Sequence, residues 1–238
     1  MPNVIIFDLD DTIIAWDAVA AEVWLRVCRE AGKDEPLDMD QIAGNIRQTG
    51  SWYWSDPERH RQGRLNLFET RRLIARLAFE RLGIDRPDLA ERIADTYSRT
   101  REDATFLIPD AVSTLEELRN RGIRLAMITN GASEIQRAKI DRFQLEPLFE
   151  HIIIEGELGT GKPEPGVFLH VLDVMDVNAG DVWMVGDDLV RDIAPCRSLG
   201  IFSVWVDSRE RGLPADTAVT PDRVIRTITD LPGLLDAG

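Results

Sequence analysis

Cysteine, histidine and lysine are scarce in this sequence of 238 residues, and their scarcity excludes several kinds of protein. The two cysteines, Cys28 and Cys196, lie far apart and outside any CxxC pattern, so neither a disulfide framework nor a cysteine-ligated zinc site is predicted. The histidines show no metal-binding spacing such as HExxH. No long apolar run or signal-peptide pattern is present, so we expect a cytoplasmic protein without a membrane span.

Positive charge is also in short supply. Lysine and arginine number 28 against 42 aspartates and glutamates, which gives a formal net charge of −14. Binding to nucleic acid or to an anionic membrane surface requires clustered cations, so we expect neither partner. Any anionic ligand would have to be attracted by a local cation against this net charge. The 44% hydrophobic and 29% charged residues that are present are typical of a globular protein with one large domain or two smaller ones.

Helical periodicity dominates the first part of the chain after one short strand. Residues 3–8 are apolar and rich in β-branched side chains, which predicts a buried strand. The segment that follows contains no convincing strand, and its apolar spacing predicts helices over 16–29, 38–48, 58–82 and 87–103. We therefore predict an inserted, all-helical domain over residues 16–107.

Strands alternate with helices in the rest of the chain. The predicted strands cover 123–129, 151–154, 181–186 and 201–206, with a further short strand near 224–225. Strands that alternate with helices of this length form a parallel sheet with helices on both faces. We therefore predict an α/β core domain with an open parallel sheet, made of residues 1–15 and 108–238.

Polar side chains that could carry chemistry follow four of the predicted strands. In strand order they are Asp8 and Asp10, Thr129 and Asn130, Lys162, and Asp187, Asp188 and Asp192. In open α/β sheets, ligands bind at the carboxyl ends of the strands. Because every candidate comes after a strand, we predict that these side chains form one site.

These stretches resemble the motifs of a known family. DLDDT at the first strand, the strand that ends in Thr129, Lys162 before Pro163, and GDDLVRD are similar, in order and spacing, to the four motifs of the haloacid dehalogenase-like hydrolase superfamily. The helical insertion is similar to the family's type 1 cap. The resemblance implies a Rossmann-like core, dependence on Mg²⁺ and, most often, hydrolysis of phosphomonoesters.

The resemblance also implies a role for each motif residue. Asp8 would be the nucleophile that forms an aspartyl-phosphate, and Asp10 would act first as general acid and then as general base. Thr129, Asn130 and nearby backbone N–H groups would bind the phosphoryl oxygens. Lys162 would neutralise charge on the phosphoryl group and hold the nucleophile in place.

The crowded acids suggest a metal site. A hard cation such as Mg²⁺ takes oxygen ligands and would relieve the repulsion among the carboxylates. By resemblance, the ligands are the Asp8 carboxylate, the Asp10 backbone carbonyl and the Asp187 carboxylate, with Asp192 supporting them directly or through a water. Two further acids adjoin motif positions without occupying them, and we predict capping or solvated roles for these residues, which are Asp11 and Asp188.

The stretch SWYWSDPERHRQGR in the helical segment combines aromatic side chains with arginines. One interpretation makes Trp54 and Arg59, together with Arg47, substrate-specificity residues that supply an aromatic face and anion-binding guanidinium groups. The other interpretation places the aromatic rings in the core of the helical domain and the arginines on its solvated face. Both remain open from the sequence.

The sequence thus predicts a Mg²⁺-dependent phosphatase, a monomer or homodimer, that hydrolyses a small phosphorylated metabolite such as a sugar phosphate or nucleotide. The alternatives are a 2-haloacid dehalogenase or a phosphomutase on the same fold, and a non-catalytic ligand-binding member. Dehalogenases of this family generally lack the second motif aspartate, so Asp10 favours the phosphatase.

Overall fold

The computed structural model describes residues 1–236, which divide into two compact units. The α/β unit consists of Met1–Ala15 and the described chain from Leu107 onward, and the helical unit consists of Trp16–Phe106. The helical insertion predicted over 16–107 ends one residue later than the helical unit, which ends at Phe106. Every helix among the described residues is too short or too polar to cross a membrane.

The strands of the α/β unit confirm the predicted parallel sheet. The strands of the chain are β1 (Val4–Phe7), β2 (Ile14–Ala15), β3 (Phe106–Leu107), β4 (Arg124–Thr129), β5 (His151–Ile154), β6 (Val182–Gly186), β7 (Phe202–Val206) and β8 (Arg223–Ile225). Six of them form one parallel sheet in the order β5-β4-β1-β6-β7-β8, and β2 pairs with β3 in a sheet of its own. The strand order changes direction between β1 and β6, which is where ligands bind in such sheets.

The helical unit contains five α-helices among its described residues. They are α1 (Ala20–Ala31), α2 (Met39–Trp54), α3 (Pro57–Leu65), α4 (Leu67–Arg81) and α5 (Pro87–Ala104). Buried side chains recur at helical spacing, as with Val23 and Val27 in α1. The core of this unit includes Trp24, whose ring stacks on Tyr97 with 3.5 Å between the ring centroids.

Two helix boundaries in this unit differ from the sequence prediction. Helix α2 continues to Trp54 instead of ending near residue 48, because Thr49 and Tyr53 continue its buried face. The continuous helix predicted over 58–82 is two helices that meet at Asn66, whose φ of −129° is outside the helical range.

The helices of the α/β unit cover both faces of the sheet. They are α6 (Ala111–Asn120), α7 (Ser133–Arg142), α8 (Glu155–Leu158), α9 (Pro165–Val174), α10 (Ala194–Leu199) and α11 (Leu231–Asp236). Ile5 and Phe7 of β1 belong to a core cluster with α6, whereas Val4 and Ile6 belong to a second cluster with α9. Alternate residues of a strand point to opposite faces, so both faces of β1 are covered and its carboxyl end is fixed in place.

Candidate active site

A buried lysine lies between two carboxylates at the carboxyl end of β1. Asp8 directly follows this strand, and its Oδ1 atom lies 2.5 Å from Lys162 Nζ. The same Nζ lies 2.7 Å from Asp192 Oδ1. Lys162 and Asp192 are both only 1% exposed, and buried charges of this kind are stable only when paired. Burial disfavours the Lys162 cation, but the attraction of Asp192 and Asp8 outweighs it and raises the pKa of Lys162.

Carboxylate oxygens of Asp8, Asp187 and Asp192 form a cluster within 4.8 Å of one another. Burial raises the pKa of Asp8 to about 7 even though Lys162 acts in the opposite direction. Burial and the like charges of Asp8 and Asp192 raise the pKa of Asp187 well above its usual range. Negative charge in this cluster therefore exceeds the positive charge that Lys162 supplies. An all-oxygen donor set with excess negative charge fits a hard divalent cation.

Asp192 is held at both carboxylate oxygens by the chain. Its Oδ1 contacts Lys162, and its Oδ2 accepts a hydrogen bond of 3.0 Å from the backbone N–H of Asp188. The neighbouring Gly186 leaves no room for a side chain, because a Cβ there would lie 2.2 Å from Asp192 Oδ2. These contacts fix the orientation of the Asp192 carboxylate, so it could support a cation site formed by the other acids.

The two acids that adjoin motif positions take local roles in the described chain. Asp188 caps the helical turn Leu189–Ile193, since its side chain accepts hydrogen bonds from the backbone N–H groups of Val190 and Arg191. It also forms an ion pair with the Arg191 side chain. Asp11 occupies a turn with a φ of 60°, and its N–H donates to Ile14 O at 2.7 Å.

Asp10 is bound by two residues of α7 that the sequence analysis did not select. Lys139 Nζ lies 2.8 and 2.9 Å from the two carboxylate oxygens of Asp10. Gln136 donates 3.1 Å to Asp10 Oδ2 and also bonds the hydroxyl of Thr129, while its own Oε1 accepts from Lys139 at 2.8 Å. Both α7 side chains are buried. The scarcity of lysine, with three in the whole chain, was the available signal for Lys139.

The Asn130 side chain binds the backbone of Lys162. Its Oδ1 accepts from Lys162 N at 2.8 Å, and its Nδ2 donates to Lys162 O at 2.6 Å. The next residue, Gly131, donates its backbone N–H to the buried Glu155 at 2.9 Å. Because the side chain of Asn130 is bound to the Lys162 backbone, this residue would bind phosphate through its backbone N–H.

The specificity candidates of the helical unit make contacts within that unit. Arg59 donates to the backbone carbonyls of Tyr53 at 3.2 Å and Trp52 at 2.9 Å, and its guanidinium lies 4.2 Å from the centroid of the Trp52 ring. Trp54 is half-buried and packs edge-to-face on Tyr53, with 5.1 Å between the ring centroids. Arg47 is exposed on α2. The role of these residues in specificity stays a prediction.

Comparison with known proteins shows what the chain is similar to. A family model described as haloacid dehalogenase-like hydrolase matches residues 2–200. Ribulose-1,5-bisphosphate 5-phosphatase of Halopiger xanaduensis is 30% identical over 245 residues, which cover 99% of both chains. Phosphoserine phosphatase of Thermus thermophilus is 37% identical over 153 residues, or 64% of this chain, and this match spans only 59% of that protein's length.

A solved structure with the same fold is a HAD-hydrolase from Bacillus subtilis bound to magnesium, with a TM-score of 0.77, 23% identity and 99% coverage of both chains. Similar solved structures include phosphatases and 2-haloacid dehalogenases. The first of these likenesses covers both units, since it extends over 99% of this chain.

Proposed function

The chain belongs to the haloacid dehalogenase-like hydrolase family, and on this premise we propose that it is a phosphatase acting on a small phosphorylated metabolite. The observation that carries the proposal is the buried Lys162 between Asp8 and Asp192, at the carboxyl end of the central strand. A nucleophile and a fixed cation at one point are what phosphoryl transfer requires. Relatives named as phosphatases of ribulose bisphosphate and of phosphoserine support a small, anionic substrate.

The proposed reaction has two displacement steps. The Asp8 carboxylate attacks phosphorus, the bond from phosphorus to the leaving oxygen breaks, and an aspartyl-phosphate forms. Asp10 donates a proton to the leaving oxygen. In the second step water attacks phosphorus and gives a proton to Asp10, the bond from phosphorus to Asp8 breaks, and phosphate leaves. Lys162 supplies positive charge beside the phosphoryl oxygens, and the Thr129 hydroxyl and the Asn130 backbone N–H hold these oxygens.

Lys139 and Gln136 position Asp10 in this proposal. Both carboxylate oxygens of Asp10 accept from Lys139, so the carboxylate is fixed in orientation rather than free to rotate. Fixed orientation matters because a general acid must lie within hydrogen-bond reach of the leaving oxygen. The bond from Gln136 to Thr129 joins this acid to the proposed phosphoryl-binding group.

Mg²⁺ is the proposed cofactor. The Asp8 and Asp187 carboxylates and the Asp10 backbone carbonyl would hold it, with Asp192 in support. When bound, it would offset the charge of the acid cluster and lower the repulsion between Asp8 and an incoming phosphate. The proposed role of the helical unit is that of a cap domain that selects the substrate.

Dehalogenation is the main alternative reaction on this fold. Displacement of a halide needs no proton donor for the leaving group and no divalent cation. Neither Asp10 as a general acid nor a cation site at the acid cluster would then be needed. These features favour the phosphatase.

The deciding experiment is phosphate release from p-nitrophenyl phosphate and from a panel of phosphorylated metabolites, with Mg²⁺ and with EDTA. We expect Mg²⁺-dependent release, together with preference for one chemical class in the panel. Halide release from 2-chloropropionate is the parallel assay. Halide release without phosphate release, or phosphate release that EDTA does not affect, would contradict the proposed mechanism.

A further inference from the structure

Two arginines of the helical unit are buried close to each other. Arg71 on α4 is 3% exposed and Arg101 on α5 is 8% exposed. Arg101 has partners: it donates 2.9 Å to the Tyr97 hydroxyl and forms an ion pair with Asp17. Arg71 differs, because neither Nη1 nor Nη2 has a hydrogen-bond partner among residues 1–236. Arginine almost never occupies a buried position without partners for its N–H groups.

Both guanidinium groups lie against the same two aromatic rings. The Arg101 guanidinium carbon is 4.2 Å from the centroid of the Trp16 ring and 5.8 Å from that of Tyr97. The corresponding distances for Arg71 are 5.7 and 5.1 Å. Cation–π contacts of this kind stabilise the positive charge, but they do not supply acceptors for the N–H groups in the plane of the guanidinium.

The charge of Arg71 is incompletely balanced by its surroundings. Burial and the like charge of Arg101 lower the pKa of Arg71 to about 9, so the side chain remains a cation at neutral pH. Asp17 and Glu102 act in the opposite direction, but neither accepts a hydrogen bond from Arg71 Nη1 or Nη2 within the described chain. The Asp17 side chain is 63% exposed and is paired with Arg101. A buried cation without a direct counter-charge is strongly destabilising unless an anion joins it.

We propose that Arg71, together with Arg101 and Trp16, forms a binding site in the helical unit for the oxyanion group of a small ligand, either a carboxylate or a phosphate. The planar fork of an arginine matches two oxygens of either group. The adjoining segment Asp17–Ala18 is exposed. None of these residues takes part in the proposed hydrolysis, so the site is additional to it.

Calorimetric titration of the full chain with malonate, and separately with inorganic phosphate, tests the site in the presence of EDTA. We expect at least one of the two anions to bind, and Arg71→Met to weaken that binding about tenfold or more. Arg26→Met is the matched control, because Arg26 is an exposed arginine of the same unit. Its removal changes the net charge equally and should change the dissociation constant less than about twofold.

The two probes also distinguish the ligand classes. If Arg71→Met weakens the binding of malonate alone, the site is assigned to carboxylates. If it weakens the binding of phosphate alone, the site is assigned to phosphates, and weakening of both supports an oxyanion site. If neither anion binds, or if Arg71→Met binds them as well as the wild-type chain, the proposal is wrong. Phosphate bound at the proposed catalytic site, beside Lys162, should not respond to Arg71→Met. The comparison of this variant with the wild-type chain therefore separates failure of the oxyanion site from failure of the proposed phosphatase.

A second variant decides the matter if Arg71→Met fails to fold. Asp17→Asn removes an exposed carboxylate that competes with the ligand for Arg101, and it should tighten anion binding several-fold. Unchanged or weaker binding in Asp17→Asn would overturn the proposal. If the pair binds an anion, Arg71→Met should weaken the binding and Asp17→Asn should tighten it.

Discussion

Lys139 holds both carboxylate oxygens of Asp10, at 2.8 and 2.9 Å, although the two residues are 129 positions apart in the chain. A helix on the sheet thus fixes the orientation of a carboxylate at the end of the central strand. In the proposed reaction this carboxylate is the group that exchanges protons with the leaving oxygen and with water.

Replacement of Lys139 by Met should lower kcat on the order of 10- to 100-fold with little change in KM, because Asp10 loses its fixed orientation and not its contact with substrate. Lys139→Arg should recover part of the loss. The matched control is Lys33→Met, which removes an exposed lysine of the helical unit and should leave kcat unchanged. Steady-state kinetics with p-nitrophenyl phosphate measure all three; equal losses for Lys33→Met and Lys139→Met would contradict the positioning role.

Asp8→Asn should reduce kcat by on the order of 10³-fold or more, since an amide cannot form the aspartyl-phosphate. Asp11→Asn is its control, because Asp11 has a φ of 60° and asparagine accepts this conformation as readily as aspartate. Asp11→Asn should keep most of the activity. Similar losses from both substitutions would mean that the nucleophile has been assigned to the wrong acid.

Mg²⁺ should stabilise the folded chain as well as support turnover. At ten times its dissociation constant it should raise the thermal unfolding midpoint by about 3–6 °C, because it binds the crowded carboxylates of the native state only. Asp187→Asn should abolish most of this shift, whereas Asp188→Asn should retain it, since Asp188 is engaged in capping a helical turn. A midpoint that does not respond to Mg²⁺ in the wild-type chain would count against the cation site.

The two cysteines should report separately on the two units. Cys28 lies in the helical unit and Cys196 in the α/β unit, and burial raises the pKa of each thiol to about 12. Both thiols should therefore react with a disulfide reagent such as DTNB only after local unfolding.

Mg²⁺ should slow the labelling of Cys196 in a Cys28→Ser variant about tenfold at ten times the dissociation constant. It should change the labelling of Cys28 in a Cys196→Ser variant much less. Equal slowing of both thiols would show that the units unfold together.

Gly186→Ala should lower the free energy of unfolding by about 1–3 kcal/mol, because the added Cβ would lie 2.2 Å from Asp192 Oδ2. Displacement of Asp192 should also weaken Mg²⁺ binding. Gly166→Ala in α9 is the matched control, since its Cβ would meet no atom within 4 Å. There the substitution should stabilise the chain by about 0.5–1 kcal/mol. Denaturant unfolding of both variants gives the comparison, and a stable Gly186→Ala variant would refute the close packing at Asp192.

The parallel sheet could be predicted from the sequence because its strands are short apolar runs bounded by helices. The predicted strand over 151–154 has the observed bounds, and the strand predicted over 123–129 begins one residue later. The ends of the helices in the helical unit were harder to predict, because the sequence there contains both residues that continue a helix and residues that end one. Tyr53 continues a buried face within the aromatic stretch. Gly63 lies inside a helix, and the helix ends three residues later at Asn66.

The candidate site was predictable where it depends on the sheet and less so where it depends on helix faces. Asp8, Asp187 and Asp192 come together because parallel strands end at one edge. Gln136 and Lys139 lie on a helix whose composition is polar, and such a helix gives no sign of which side faces the sheet. The engagement of Asn130 with the Lys162 backbone likewise depends on a loop conformation that spacing does not encode.

Burial of Lys139 and Lys162 has a practical consequence for the chemistry of the surface. The sequence contains three lysines, and these two are 7% and 1% exposed, so Lys33 is the lysine that solvent reaches freely. Amine-reactive dyes, biotin esters and surface-coupling reagents should therefore react with the lysines of the folded protein at Lys33. Native acylation would place a label on the helical unit without touching the acid cluster, which offers a defined attachment point for single-molecule or immobilised measurements.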